Sequence, residues 1–147
     1  MKIELNIAKE IIEPFITINA TKQDQTIIDL QSAIEDITQE VEVISRTSDK
    51  VVRIPLASVT RFYTDNKRVV CESTIGSYYI QKRIYELVES LSKKQFVKLS
   101  SGEIVRTACI REFELSKRGS YLVLLTNGKT TYVSRRCLSV LRKELLK

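Results

Sequence analysis

Two short runs place cations where a backbone can present them. Lys67 and Arg68 stand at the exit of the turn Thr64-Asp65-Asn66-Lys67, from which a long cationic side chain can reach a phosphate or a guanine edge. Ser134 precedes Arg135 and Arg136 at the opening of a helical pattern. A helix start capped by Ser offers backbone N–H groups to an anion, and the two guanidinium groups flank it. Arg136 carries the planar fork that can pair with guanine O6 and N7 together, which lysine cannot copy. Each of these residues alone is an ordinary solvated cation; what they could do jointly is recognise a polyanion.

Other chemistry finds little support. The chain has no histidine, which removes Ser-His and Cys-His nucleophile pairs and every His-ligated metal site. Glu112 and Glu114 lie two apart on an extended stretch, so they share one solvent-facing side of a strand, with no cleft motif around them. Cys71, Cys109 and Cys137 are odd in number and far apart, which fits neither a disulfide framework nor a CxxC metal site. Each sits in an apolar or alternating stretch and is expected to be a small reduced core side chain. Gly76, Gly102, Gly119 and Gly128 are isolated, so there is no phosphate-cradling loop. Neither an enzyme nor a metal or other cofactor is expected. The opening residues lack a signal-peptide pattern and no apolar run nears the ~20 residues of a membrane span, so a cytoplasmic protein is expected.

Charge is segregated. Met1 to Ser45 holds three Lys and Arg against nine Asp and Glu; Arg46 to Lys147 holds 21 against nine. An acidic head of −6 thus precedes a basic body of +12, within a formal total of +6. A basic body of this kind favours nucleic acid as partner, with an anionic membrane surface second.

The elements that must position these cations follow from periodicity. In the head, Ile3-Glu4-Leu5-Asn6-Ile7 alternates like a half-buried strand, and Phe15-Ile16-Thr17-Ile18 gives a second strand after Pro14. Thr21 is a candidate cap for a helix whose apolar stripe is Ile27, Leu30, Ile34 and Ile37, opposite Asp29, Glu35 and Asp36. In the body, extended segments are expected at Glu42–Ser45, Lys50–Pro55, Val59–Tyr63, Arg68–Ser73 and Tyr78–Ile80. A helix follows with Ile84, Leu87, Val88 and Leu91 on one face; Phe96–Leu99 is extended again, and Ser100-Ser101-Gly102 is a loop. Thr107–Leu115 and Tyr121–Thr126 read as strands joined by Ser116-Lys117-Arg118-Gly119. Asn127-Gly128 predicts a type I′ hairpin turn into Lys129–Val133, and the last helix has the apolar face Cys137, Leu138, Leu141 and Leu145. The fold class is mainly β (α+β): an acidic β-β-α segment over 1–45, for regulation or dimerisation, and a β body with a few short helices over 46–147. No two helices are adjacent, so helix-turn-helix binding is not expected.

Residues Val51 to Leu146 resemble a LytTR (LytR/AlgR-type) DNA-binding domain. The matching pieces, in order, are Arg61-Phe62-Tyr63, a polar turn and second strand, the helix with Ile84, Leu87 and Leu91, and Phe96-Val97-Lys98-Leu99-Ser100. Ile104-Val105, the Asn127-Gly128 hairpin and Val133-Ser134-Arg135-Arg136 complete the series. The resemblance implies an elongated, mainly β fold that inserts loops into successive major grooves of double-stranded DNA. It places DNA contacts at Asn66, Lys67 and Arg68, at Lys98, Ser100 and Ser101, and at Arg135 and Arg136. It implies a bacterial transcription regulator acting as a homodimer on promoter repeats, with no small-molecule substrate. With only some 45 residues before the body, a phospho-acceptor receiver domain and control by phosphorylation are not expected. Stand-alone members of this size resemble regulators restrained by a small membrane-protein inhibitor. Two positions depart from the family: Ser101 is short and neutral where a contact is usual, and Arg106 replaces an asparagine.

Two other functions compete. The head's apolar helix stripe could recruit a protein partner, leaving the basic body as mere surface. Tyr63, Tyr78 and Tyr79 among cations could stack RNA bases, although Tyr78 and Tyr79 point to opposite faces of one strand.

Overall fold

The computed structural model describes residues 1–115 and 120–144. The chain forms two compact units, 1–36 and 37–147. The turn expected at Ser116-Lys117-Arg118-Gly119 and the Leu145 end of the last apolar stripe lie outside the described residues.

The smaller unit holds most of one helix, α1 (Gln25–Thr38), whose last two residues fall in the larger unit. Asp24, not Thr21, caps it: its Oδ1 accepts the N–H of Ile27 at 3.1 Å. Ile27, Leu30 and Ile34 are half-buried and Ile37 is exposed, and no residue of α1 is fully buried. The two strands expected at Ile3–Ile7 and Phe15–Ile18 do not form. Most of their apolar side chains stay in solvent, with Ile3 92% and Phe15 74% exposed and Ile18 half-buried. An alternating pattern makes a strand only when a partner strand and an apolar face receive it, and an isolated pair is at best marginally stable in water.

The larger unit begins with β1 (Glu40–Ser45) and β2 (Val51–Pro55), then β3 (Val59–Asp65), β4 (Arg68–Ser73) and β5 (Gly76–Ile80). Helix α2 (Ile84–Ser90) follows, then β6 (Phe96–Ser100) and β7 (Glu103–Arg106). The chain closes with β8 (Ile110–Leu115), β9 (Tyr121–Leu125), β10 (Thr130–Val133) and α3 (Arg135–Glu144). All pairings among the described strands are antiparallel, giving a seven-stranded sheet, β2-β1-β5-β4-β3-β7-β6, and a three-stranded one, β10-β9-β8. The strand expected over Thr107–Leu115 is shorter: Thr107–Cys109 is a 3-10 turn, and β8 starts at Ile110.

Strands β6 and β7 serve two cores, which is why apolar residues stand side by side in Phe96-Val97 and Ile104-Val105 although neighbouring side chains face opposite ways. Phe96 and Ile104 join Phe62, Leu56, Cys71, Ile84 and Leu87 on one side. Val97, Leu99 and Val105 point the other way, against Val123, Leu125, Val133 and Leu141. Each such fully buried side chain stabilises the fold by ~1.5–3 kcal/mol. Cys71 lies in the first core, and burial pushes its thiol up to about 12, so it remains a neutral packing residue.

Two hairpin turns differ from each other. Asp65 pairs with Arg68 across Asn66 and Lys67, whose φ values are 48° and 66°. This is a two-residue turn of the type I′ kind. Asn127-Gly128 was expected to adopt that form and does not. The N–H of Gly128 donates to Leu125 O at 3.0 Å, that of Leu125 to Lys129 O at 2.9 Å, and only Gly128 of the pair has positive φ, 85°. The result is a type I turn followed by a glycine bulge. Its asparagine is held otherwise: Nδ2 donates to Glu72 Oε1 at 3.2 Å, and Oδ1 accepts the Lys129 N–H at 2.9 Å.

That contact belongs to a buried charge cluster joining the two sheets. Arg61 on β3 meets Glu72 on β4 at 3.0 Å and Glu103 on β7 at 3.2 Å, and Lys129 reaches Glu72 at 3.2 Å. Burial pushes the Glu72 carboxyl up, but hydrogen bonds and charge from Arg61 and Lys129 together prevail, and its pKa falls below the usual glutamate value. Among the described residues no helix is long and apolar enough to cross a membrane.

Candidate nucleic-acid interface

Two main-chain hydrogen bonds gather the cation-bearing loops. Thr64 N–H donates to Gly102 O at 2.9 Å, fastening the β3–β4 turn to the β6–β7 turn. Ser134 N–H donates to Leu99 O at 2.8 Å, fastening the start of α3 to the end of β6. The antiparallel order β3-β7-β6 makes this neighbourhood possible, because the β3 exit and the β6 exit then lie at the same end of the sheet.

Asn66, Lys67, Arg68, Lys98, Ser101, Arg135 and Arg136 are all exposed, and Ser100 is half-buried. Lys67, Arg68, Lys98 and Ser101 line one open groove of about 610 Å³. Ser100 works within its own turn, where its Oγ accepts the Gly102 N–H at 3.3 Å. Arg135 and Arg136 open α3 beside this groove rather than in it, and Ser134 Oγ accepts the Cys137 N–H at 3.3 Å as the helix cap. Lys98, on the edge strand β6, stands between, lining both the groove and a second hollow that Arg136 borders.

Lys82, Arg83 and Tyr85 also line the groove and were not among the sequence candidates. Lys82 and Arg83 precede α2 as Arg135 and Arg136 open α3, so a basic pair at a helix start was the available signal. Arg83 is fixed there, its N–H donating to Glu86 Oε1 at 3.3 Å. With them the groove carries five cations, Lys67, Arg68, Lys82, Arg83 and Lys98, and no acidic residue among its lining. Arg68 is aimed by an aromatic: its guanidinium lies 3.6 Å from the centre of the Tyr79 ring, and Arg46 also approaches that ring at 4.9 Å. Tyr78, on the opposite face of β5, packs against the first core.

Arg106 turns away from solvent. Its Nε donates to Val59 O at 2.7 Å, another guanidinium nitrogen donates to Leu56 O, and the group stacks over Phe96 at 4.5 Å. Arg106 therefore fastens the 3-10 turn Leu56–Ser58 to β7.

A β-rich domain that collects loops and helix starts around a cation-lined groove has the form of a polyanion-binding module. Residues 49–146 match the family model described as LytTr DNA-binding domain, and the chain belongs to that family. An uncharacterized HTH-type transcriptional regulator of Staphylococcus aureus strain bovine RF122 / ET3-1 is 27% identical over 145 residues, which is 99% of this chain and 98% of the relative. Its counterpart in strain NCTC 8325 / PS 47 is 26% identical over the same extent. A LytTr DNA-binding domain from Bacillus cereus superimposes with a TM-score of 0.65 at 20% identity, covering 72% of this chain and 95% of that one. Although those relatives are named for a helix-turn-helix, each described helix here is separated from the next by strands.

Proposed function

We propose that this protein is a transcription regulator that reads double-stranded DNA with the loop cluster Asn66–Arg68, Lys98–Ser101 and Arg135–Arg136, extended along the groove by Lys82 and Arg83. The observation that carries this reading is the pair of main-chain bonds that brings the turns and the α3 start together around a groove whose charged lining residues are all cations. Groove cations hold phosphates and set register, while Arg136, on the first turn of α3, supplies base readout. Repeated half-sites engage a homodimer, and the acidic Met1–Ser45 segment serves regulation or dimerisation. RNA stacking is disfavoured by the aromatics: Tyr79 is covered by Arg68 and Tyr63 by Arg61, at 3.6 and 4.3 Å from the ring centres.

The test is a mobility-shift titration on promoter DNA carrying repeated half-sites, against non-specific competitor. Arg136→Ala is expected to lose ~1–3 kcal/mol of preference for the repeat while keeping non-specific affinity. Equal binding of wild type and variant to repeat and random DNA would remove sequence readout from this helix start.

A further inference from the structure

Beside the groove lies a hollow that shares only Lys98 and Arg136 with the proposed DNA contacts. About 350 Å³ in volume, it is walled by Val88 and Leu91 of the α2 region, Phe96 and Ile104 beneath, and Cys137 and Val140 of α3. Every charged residue on its lining is a cation: Lys93, Lys98 and Arg136. An apolar hollow left open costs exposed hydrophobic surface, and apolar walls with a few convergent polar groups are the usual make-up of a small-molecule site. The three cations fix the polarity of the head group, and the walls require an apolar body.

We propose that this hollow binds a small amphipathic organic anion, a carboxylate with an alkyl or aromatic body, and that its occupant competes with DNA for Lys98 and Arg136. The competition half rests on the function proposed above; the binding half does not. The apolar body lies against Leu91, Phe96 and Val140, and the carboxylate accepts hydrogen bonds from Arg136 and Lys98. By linkage, any anion that engages these two side chains lowers affinity for DNA by the same factor by which DNA lowers affinity for the anion.

Octanoate, below its micellar concentration, is the probe, with octanol as its neutral match, followed by amide chemical shifts of the full chain. Saturable shifts at Val88, Leu91, Cys137 and Val140 are expected with octanoate and not with octanol. Arg136→Ala is expected to weaken octanoate about tenfold by removing a charge-assisted hydrogen bond. Val140→Trp fills the hollow from a position that is 51% exposed, where the fold tolerates bulk, and is expected to abolish the shifts. No saturable shift at these residues, equal binding of octanol, or unchanged binding in Val140→Trp would each overturn the site. Octanoate is further expected to raise the apparent Kd for repeat DNA in wild type and not in Val140→Trp. Pocket shifts without that rise overturn the competition alone, whereas a wild type that binds no DNA overturns the proposed function and leaves the ligand site standing.

Discussion

The arginines of the large unit divide into two populations that a charge count treats alike. Arg61 and Arg106 are spent inward: Arg61 is only 12% exposed between two carboxylates, and Arg106 donates to two main-chain carbonyls. Arg68, Arg83, Arg135 and Arg136 are exposed at turns and helix starts. The first group neutralises buried acceptors and joins strands; the second adds to the field outside the protein. The +12 of the basic body therefore overstates what a polyanion meets, and the position of each cation matters more than their number.

The comparison breaks most sharply at Arg61. Arg61→Ala would leave Glu72 and Glu103 buried, Glu103 without a counter-ion, and is expected to cost ~3–5 kcal/mol in urea unfolding. A loss under ~1 kcal/mol would move Arg61 into the exposed group. Arg106→Ala comes next: two bonds to carbonyls and the stacking on Phe96 would go, for ~2–3 kcal/mol of stability by the same measurement. If Arg106→Ala instead left stability intact and altered DNA preference, Arg106 would belong with the outward cations.

Outward cations should show the converse. Lys82→Ala with Arg83→Ala is expected to keep stability within about 0.5 kcal/mol and to lower the slope of log affinity against log salt by about two, uniformly across sequences. An unchanged slope would confine DNA to the other loops. The smallest effect is in pH. The Glu72 pKa is lowered on folding, so its contribution to stability is complete above the ordinary glutamate value and is lost as pH falls through the folded value. Glu72→Gln is expected to flatten the acid limb of the stability profile below about pH 4.3, followed by thermal unfolding across pH. An acid limb as steep as wild type would assign acid sensitivity to other carboxylates.

Much of the large unit was legible in advance. Alternation and turn chemistry located nearly every strand of the body, and Ser134 was identified as a cap from its place before an apolar helical stripe. The exposed candidates Lys67, Arg68, Arg135 and Arg136 were legible because Lys and Arg at turns and helix starts rarely find buried partners. Less legible was whatever depends on a distant partner. Ile3–Ile7 has the period of a strand and no sheet to join, and Asn127-Gly128 has the residues of a type I′ turn yet turns otherwise, with its asparagine bound to Glu72, 55 positions away.

By itself, then, the sequence determined the local things: the periods of strands and helices, the acidic head and basic body, the absence of histidine chemistry and the family pattern. Only the tertiary structure decided which cations face inward, that Lys82 and Arg83 join the groove, and that Lys98 stands between the groove and an apolar hollow. The physical reason is range. Propensity and periodicity act over a few residues, whereas a buried charge or a groove is defined by side chains that come together only when β3, β7 and β6 pair in that order.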